Sequence, residues 1–234
     1  KLINDVLDIS RIEAGRLELR PSDFDLQGLI QSLDVMFRLR CEQKRLTWKM
    51  ERPEVFSLPV HGDEAKLTQV LVNLLGNAVK FTDEGGVTLK VTAPTPALPA
   101  SREGAPIPPQ AGRSEGDARY RFEVIDTGPG ISPEAQVKIF EPFSQTEAGA
   151  RKGGAGLGLS ISRKVLELMG GTLGLASEVG KGSCFYFEIL LPAVLIWYPL
   201  SRFARVIEIE HRGDRIHAQA IDVVLLQPEE RVGK

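Results

Sequence analysis

The chain has 234 residues, 42% of them hydrophobic, with a formal net charge of −2 and a pI near 6.0. The hydrophobic content suffices for a sizeable core, and the near-neutral charge argues against nucleic acid as a partner, because nucleic-acid-binding surfaces are strongly basic. Membrane contact is also disfavoured, since no run approaches the roughly 20 apolar residues of a membrane span and Val194–Trp197 is too brief.

The cysteines and the first residues are informative about the cellular compartment and about the extent of the sequence. Only Cys41 and Cys184 are present, far apart in sequence, which predicts two reduced and mostly buried thiols in a cytoplasmic protein. No signal-peptide pattern opens the chain. The sequence starts at Lys1 in the middle of a helical pattern, so we expect it to be a piece of a longer protein.

The N-terminal part predicts two helices and two short strands. Apolar residues at helical spacing predict a helix over residues 2–14, which Gly15 ends. Residues 16–20 and 46–50 are predicted as strands. Between them, a helix over residues 26–45 carries one apolar face, formed by Leu29, Ile30, Leu33, Phe37 and Cys41.

A long helix is predicted next. Asp63 is a favourable N-cap residue, and His61 is expected in the loop before it. The apolar residues of this helix recur at helical spacing: Leu67, Val70, Leu71, Leu74, Leu75 and Ala78.

Two strands, 87–91 and 120–125, flank a segment that differs in composition. Residues 93–118 contain six prolines and cannot form a packed core, so we expect a flexible, proline-rich insertion in a hairpin. A proline-rich docking site is the alternative interpretation. The first strand and its partner are close enough in sequence for antiparallel pairing across this insertion.

The C-terminal part predicts a helix over residues 158–169 and a hairpin of strands 173–177 and 183–191. Residues 193–234 contain two possible strands, 206–209 and 220–226, without a defined packing. Helices interleaved with strands that mostly return as hairpins predict an α+β fold, arranged as a layered sandwich.

The long helix carries polar residues on one side. Asn73 and Asn77 are four residues apart and project from the same face, with Lys80 near the same side. Amide oxygens can coordinate Mg²⁺ without adding negative charge, and a lysine can neutralise a phosphate oxygen. The alternative is an ordinary polar stripe facing solvent, although asparagine is a mediocre helix former and two in mid-helix require a reason.

A first glycine cluster follows an apolar strand. Asp126 ends the strand, and Gly128 and Gly130 follow at once. A carboxylate in this position can accept from an exocyclic amine, or it can simply form a turn beside glycines. Further on, Phe140 and Phe143 flank a Glu-Pro corner that either anchors a flexible loop or packs into the core.

A second glycine cluster opens the last predicted helix. Gly154, Gly156 and Gly158, followed by Leu159, allow backbone N–H groups to approach a phosphate at the positive end of the helix dipole. The polar residues 144–152 before them have the composition of a mobile lid.

Several other site types are excluded by the motifs that the chain lacks. It has no Gly-x-Ser-x-Gly elbow and no phosphate loop ending in Gly-Lys-Ser/Thr, which disfavours hydrolases and P-loop enzymes. The chain has three histidines, none at zinc-ligand spacing from another: His61, His211 and His217.

These motifs, in this order and at these separations, resemble the catalytic, ATP-binding region of sensor histidine kinases, in the GHKL superfamily of ATPases. The resemblance covers residues 1–192: an asparagine box at 63–82, a first glycine box at 126–130, a phenylalanine box at 140–143 and a second glycine box at 154–159. It implies a Bergerat-type two-layer α/β sandwich, with a mixed, mostly antiparallel sheet covered by helices on one face and a helical remnant in front.

The resemblance also implies a role for each motif residue. Asp126 would bind adenine with Ser183, Asn77 would hold Mg²⁺, and Asn73 and Lys80 would act near the phosphates of ATP. The remaining nucleotide contacts would come from the glycine boxes: Gly128, Gly130, Gly154, Gly156, Gly158 and Leu159. Where Asn73 stands, hydrolysing relatives carry a glutamate that activates water, and an amide cannot act as that base.

The implied organisation has three parts. Residues 1–15 would end the dimerisation and histidine-phosphotransfer hairpin, 16–192 would form the ATP-binding domain, and 193–234 would be an extension or a linker toward a receiver domain. The γ-phosphoryl group would pass to a histidine on a dimerisation domain, in cis or in trans, and then to a response regulator. No histidine here has a suitable context, so this chain alone should not phosphorylate itself, and the full-length protein is expected to be a homodimer. The alternatives are a GHKL ATPase driven by lid closure and a nucleotide-binding scaffold.

Overall fold

The computed structural model describes residues 2–53, 59–92, 117–144, 153, 155–194, 204–212 and 215–223. It divides into two compact units, residues 1–194 and 195–234. The predicted insertion at 93–118 lies almost wholly outside the described residues, as do most of the predicted lid and Gly154.

The first unit contains five described helices: α1 Leu2–Glu13, α2 Leu26–Gln43, α3 Glu64–Phe81, α4 Pro133–Lys138 and α5 Gly158–Leu168. Its described strands are β1 Ser22–Phe24, β2 Thr47–Glu51, β3 Val60–Gly62, β4 Gly86–Thr92, β5 Asp117–Asp126, β6 Thr172–Glu178 and β7 Gly182–Pro192.

The main sheet has five strands in the order β2-β4-β5-β7-β6. β2 pairs with β4 in parallel, and the other neighbours are antiparallel. A separate two-stranded sheet joins β1 to β3. The predicted α+β class with a mixed, mostly antiparallel sheet is therefore confirmed.

The two faces of this sheet differ in character because side chains alternate along each strand. Phe122 and Phe187 are fully buried on the inner face and stack with ring centroids 4.9 Å apart. The inner face packs with the buried stripes of α2, α3 and α5 into one core. On the outer face, Arg121 forms ion pairs with Glu123 and Glu188 on neighbouring positions of the sheet. The unit is thus a two-layer sandwich with one polar sheet face.

The helix predictions are confirmed within a few residues. All five residues of the predicted apolar face of α2 are buried, and so are all six of α3. Periodicity succeeds here because each helix buries one continuous stripe over 18 residues. Both cysteines are free: Cys41 is buried on α2, whereas Cys184 is only half-buried.

Two predictions for the N-terminal part are wrong. Residues 16–20 are not a strand, because the Arg20 N–H donates to a carboxylate oxygen of Asp63 at 2.7 Å instead of joining a strand ladder. His61 is not a loop residue. It lies in β3, opposite Asp23 of β1, and its Nδ1 is 2.7 Å from the Asp23 carboxylate. Three-residue strands are too short to show an alternating pattern.

The second unit contains an antiparallel pair, β8 Ala204–Arg212 with β9 Arg215–Val223. The predicted strand at 206–209 lies within β8, and the one at 220–226 overlaps the end of β9. Across the described residues, no helix combines the length and apolar character needed to cross a membrane.

Candidate functional site

Helix α3 is the element on which the candidate site is built. Its N-terminus is fixed by Asp63, which accepts from the Lys66 N–H at 2.9 Å as a regular N-cap. At the other end, the buried Thr82 hydroxyl donates to the Ala78 carbonyl at 2.7 Å. With seven side chains buried in the core, the helix presents its remaining polar side chains in a fixed orientation.

Asn73 lies against the start of α5. Its Nδ2 donates to the Ser162 hydroxyl at 3.0 Å. A Cβ on Gly158 would overlap with Asn73 Oδ1, so a larger residue there would displace the Asn73 amide from this turn of α5. The Asn73 amide therefore spans the first turn of α5.

Asn77 and Lys80 follow along the same side of α3. Asn77 is half-buried, and within the described part of the chain its side-chain amide has no hydrogen-bond partner. The Lys80 ammonium donates to the Gly153 carbonyl and lies 4.9 Å from the centroid of the Phe81 ring. Lys80 thus joins α3 to the second glycine segment, which comprises Gly153 and the second glycine box at 154–159.

Asp126 is a buried carboxylate at the end of β5. It faces Ser183 of β7 in the strand register, and its Oδ1 accepts from the Gly128 N–H at 2.8 Å. Burial raises the pKa of Asp126 above its ordinary value, while hydrogen bonds from the Gly128 and Ser183 backbone act in the opposite direction. A carboxylate that is 7% exposed retains little contact with water, so it is suited to a fixed polar partner.

The first glycine segment, residues 126–130, packs closely against protein atoms on two sides. A Cβ on Gly128 would lie 2.8 Å from Asp126 Oδ1 and 3.3 Å from the Phe81 carbonyl at the end of α3. Gly130 has a φ of +71°, and a Cβ there would overlap with the Glu178 carbonyl. The glycines bring this loop against both the end of α3 and the β6–β7 turn.

A serine network fixes the opposite wall. The Ser177 hydroxyl donates to the Gly182 carbonyl at 2.9 Å and accepts from the Ile131 N–H at 2.9 Å. Because its one proton is used on Gly182, the Ser183 hydroxyl must be the donor in the 3.0 Å contact between the two serines. Ser177 therefore connects the first glycine segment to Ser183.

The second glycine segment touches the phenylalanine corner. Gly156 has a φ of +70°, and a Cβ there would lie 2.7 Å from the Ser144 carbonyl. Phe140 packs edge-on against Phe185 at 6.5 Å, whereas Phe143 is 67% exposed. Only one of the two aromatics therefore packs into the core.

Helix α5 begins at Gly158, two residues after Gly156. Leu157 is its N-cap and provides no side-chain hydrogen bond, and among the described residues no other side chain accepts from the first N–H groups of this helix. Such an end favours an anion. Leu159, which was predicted to contact the nucleotide, is half-buried and packs against the core.

The structure brings five of the eleven predicted site residues together along α3: Asn73, Asn77, Lys80, Gly128 and Gly158. Asn73 meets Gly158, Lys80 meets Gly153, and the end of the helix meets Gly128. Asn77 lies between these contacts, one turn from Asn73 on the same face. Sequence reasoning missed two residues, Ser162 and Ser177. A serine among apolar residues in the predicted α5 was the available signal for Ser162.

Comparison with known proteins agrees with this geometry. The family described as histidine kinase-, DNA gyrase B-, and HSP90-like ATPases matches residues 62–193, more than half of the chain. The chain therefore belongs to this family. It carries a catalytic, ATP-binding domain of the histidine kinase type, as the relatives below are sensor proteins with the same domain.

Two curated relatives illustrate the similarity. The sensory/regulatory protein RpfC of Xanthomonas campestris pv. campestris is 36% identical over 190 residues, which cover 80% of this chain and 24% of RpfC. The virulence sensor protein BvgS of Bordetella bronchiseptica is 39% identical over 198 residues, 83% of this chain and 14% of BvgS.

Among solved structures, full-length ShkA in complex with AMPPNP is 34% identical with a TM-score of 0.64. The match covers 82% of this chain and 36% of ShkA. The chain thus spans about a quarter or less of the length of the curated relatives compared here.

Proposed function

We propose that this domain binds Mg-ATP along α3 and transfers the γ-phosphoryl group to a histidine of a dimerisation hairpin. The observation that carries the proposal is the convergence of both glycine segments on α3, with Asn77 between them. AMPPNP, which is bound in the related ShkA structure, is an ATP analogue and supports the choice of nucleotide.

Asp126 is proposed to recognise adenine. Its carboxylate is buried and is held by backbone N–H groups of Gly128 and Ser183, which leaves its orientation fixed. A carboxylate accepts from the exocyclic amine of adenine but repels the carbonyl oxygen that guanine carries at the same position. Gly128 and Gly130 shape the loop beside it: a Cβ at Gly130 would overlap with backbone, and one at Gly128 would press on the Asp126 carboxylate.

The phosphates are proposed to lie between α3 and the start of α5. The N–H groups at the start of α5 can donate to phosphate oxygens, and Gly154, Gly156 and Gly158 are proposed to place this backbone beside them. Leu159 would support this turn from the core, against which it packs. Lys80 would contribute positive charge close to the same segment.

The donor set around Asn77 fits a magnesium ion. The Asn77 amide is half-buried, and no described residue occupies its oxygen, which is a ligand type that Mg²⁺ accepts. When bound, Mg²⁺ would neutralise the charge of the phosphates. Asn77 is the residue of this chain that would hold it, with Asn73 one turn away.

Transfer is favoured over hydrolysis by Asn73. The Asn73 amide cannot act as a general base toward water, and its nitrogen is already engaged by Ser162 at 3.0 Å. An acceptor histidine must then be the nucleophile. We propose that it lies on a dimerisation domain, in cis or in trans, of a homodimeric cytoplasmic kinase that passes the phosphoryl group to a receiver domain.

The domain boundaries follow from the same proposal. Residues 1–15 would end the dimerisation hairpin and 16–192 would form the ATP-binding domain, with the proline-rich insertion at 93–118. Residues 193–234 would connect to a further domain, and the greater length of RpfC and BvgS is compatible with additional domains on either side.

Phosphoryl transfer can be measured directly with radiolabelled ATP. The 234-residue chain is incubated with Mg²⁺, ATP labelled at the γ-phosphate and a separate helical hairpin domain that bears a histidine. We expect label on the hairpin, none when its histidine is replaced by glutamine, and none on this chain alone. Steady phosphate release without any hairpin would instead support the ATPase alternative, and neither reaction would support a scaffold.

A further inference from the structure

Ser162 is a buried polar residue in a helix face that is otherwise apolar. It is 2% exposed, and the other buried residues of α5 are Ile161, Val165 and Leu166. Burying a hydroxyl without a partner costs free energy, so its position indicates a specific hydrogen bond. That bond is the one from Asn73 Nδ2 at 3.0 Å.

The contact anchors the Asn73 amide against α5. The nitrogen is held at Ser162, so the oxygen points to the other side, where it lies against Gly158. Ser162 and Gly158 are four residues apart on α5, one turn of the helix. The amide therefore lies along this turn, and a rotation of its plane would exchange oxygen for nitrogen beside the N-terminus of α5.

We propose that Ser162 is a positioning residue for phosphoryl transfer. Its hydroxyl anchors the Asn73 amide in place along the first turn of α5, with the nitrogen at Ser162 and the oxygen beside Gly158. This inference rests on the proposed function, in which Asn73 acts near the phosphates. Small displacements of a group that orients reacting atoms cost up to about 100-fold in rate.

The competing explanation is purely structural, with Ser162 only joining α5 to α3. The chain offers a matched control for that explanation. Ser160 is a serine of the same helix whose hydroxyl donates to the Leu157 carbonyl at 2.8 Å, and within the described residues no hydrogen bond joins it to Asn73. Loss of either hydroxyl removes one hydrogen bond within or beside α5, but only Ser162→Ala frees the Asn73 amide.

The experiment uses the full chain with the hairpin acceptor described above. Ser162→Ala should lower the single-turnover transfer rate about 10- to 100-fold. The Kd for Mg-ATP, measured by calorimetry, should stay within about threefold. Ser160→Ala should leave both quantities unchanged. Ser162→Thr, which retains the hydroxyl, should recover most of the rate.

Two further measurements separate positioning from stability. In the Asn73→Ala background, Ser162→Ala should produce no additional loss, because a residue that acts through Asn73 has nothing left to position. In ¹⁵N-labelled protein, the Asn73 side-chain amide signals, assigned from their absence in Asn73→Asp, should move toward solvent-exposed shifts in Ser162→Ala but not in Ser160→Ala.

A Ser162→Ala variant that transfers at the wild-type rate would overturn the positioning role, as would rate losses that multiply in the double variant. Unchanged Asn73 amide signals would overturn the hydrogen bond itself, even if Ser162→Ala is too unstable for kinetics. A wild-type chain that binds Mg-ATP and transfers nothing to the hairpin would refute the proposed function first, so the two failures are distinguishable.

Discussion

Gly182 is the position at which the adenine side of the site should be most sensitive to one added methyl group. It starts β7 with a φ of +102°, outside the region that residues with a Cβ commonly adopt. A Cβ there would also overlap with the carbonyl oxygen of Asp126 and would come within 2.9 Å of Thr127 Cα. Gly182→Ala should therefore push the start of β7 away from the end of β5.

The neighbouring turn provides the reference for the magnitude. Gly180 also has a positive φ, +80°, but open space surrounds its Cβ position. Gly180→Ala should cost only the backbone term, about 1–2 kcal/mol. Gly182→Ala adds the steric conflict, for which overpacking gives about 1–3 kcal/mol more, so about 2–5 kcal/mol in total. At roughly 2–4 °C per kcal/mol for a chain of this size, we expect Tm to fall by about 10 °C for Gly182→Ala.

The assay is thermal unfolding of both variants with and without Mg-ADP. Because Asp126 would be displaced, Gly182→Ala should also lose most of the nucleotide-induced rise in Tm, whereas Gly180→Ala should retain it. Equal losses of stability in the two variants would show that the close approach of β7 to Asp126 has no energetic weight. An unchanged nucleotide response in Gly182→Ala would refute the link between this contact and the site.

Three further predictions concern the structure that holds the site. Asp63→Ala should lower Tm by about 5–10 °C, because the Lys66 and Arg20 N–H groups both lose their acceptor, and Asp63→Asn should cost less. Phe122→Ala should destabilise by about 3–5 kcal/mol in urea unfolding, since the ring is fully buried, whereas Val137→Ala, at a side chain 76% exposed, should stay within about 0.5 kcal/mol. Because the pKa of Asp126 is raised in the native state, the folded protein keeps a proton on this carboxyl at pH values where the unfolded chain has already lost it. The contribution of Asp126 to stability is therefore present at low pH. It is lost as the pH rises from the ordinary pKa of an aspartate to the raised pKa of Asp126 in the native state. Asp126→Asn cannot ionise, so its stability relative to wild type should increase between pH 4 and pH 7, and a constant difference would contradict the assigned burial.

The elements that sequence reasoning predicted well are those that bury one continuous apolar stripe. In α2 and α3 the predicted apolar residues are the buried ones, since a helix that packs on a sheet must show its period in the sequence. The short pair β1–β3 and the extended segment before it were not predictable in this way. The Arg20 N–H donates to Asp63 and β1 pairs with the distant β3, and no local pattern encodes such partners.

The features of the candidate site also divide into those that the sequence predicted and those that it did not. The positions of Asn73, Asn77 and Lys80 on one helix side followed from spacing alone. The close contacts of several glycines with other segments did not follow from spacing, and the nucleotide contacts expected of these glycines stay a prediction. In the structure, Gly128, Gly130 and Gly158 have protein atoms where a Cβ would be. Contacts between segments distant in sequence, such as Asn73 with Ser162, require the three-dimensional arrangement.

Adenine-selective binding through Asp126 is the central claim, and calorimetry with two nucleotides tests it most directly. The wild-type chain should bind Mg-ATP and should bind Mg-GTP at least about 100-fold more weakly, because a site built to hydrogen-bond one group strongly rejects its analogue. Asp126→Asn should lose about 100-fold in affinity for Mg-ATP while its Tm without nucleotide does not fall below that of wild type at pH 7. An Asp126→Asn variant that binds Mg-ATP as tightly as the wild type would contradict the account.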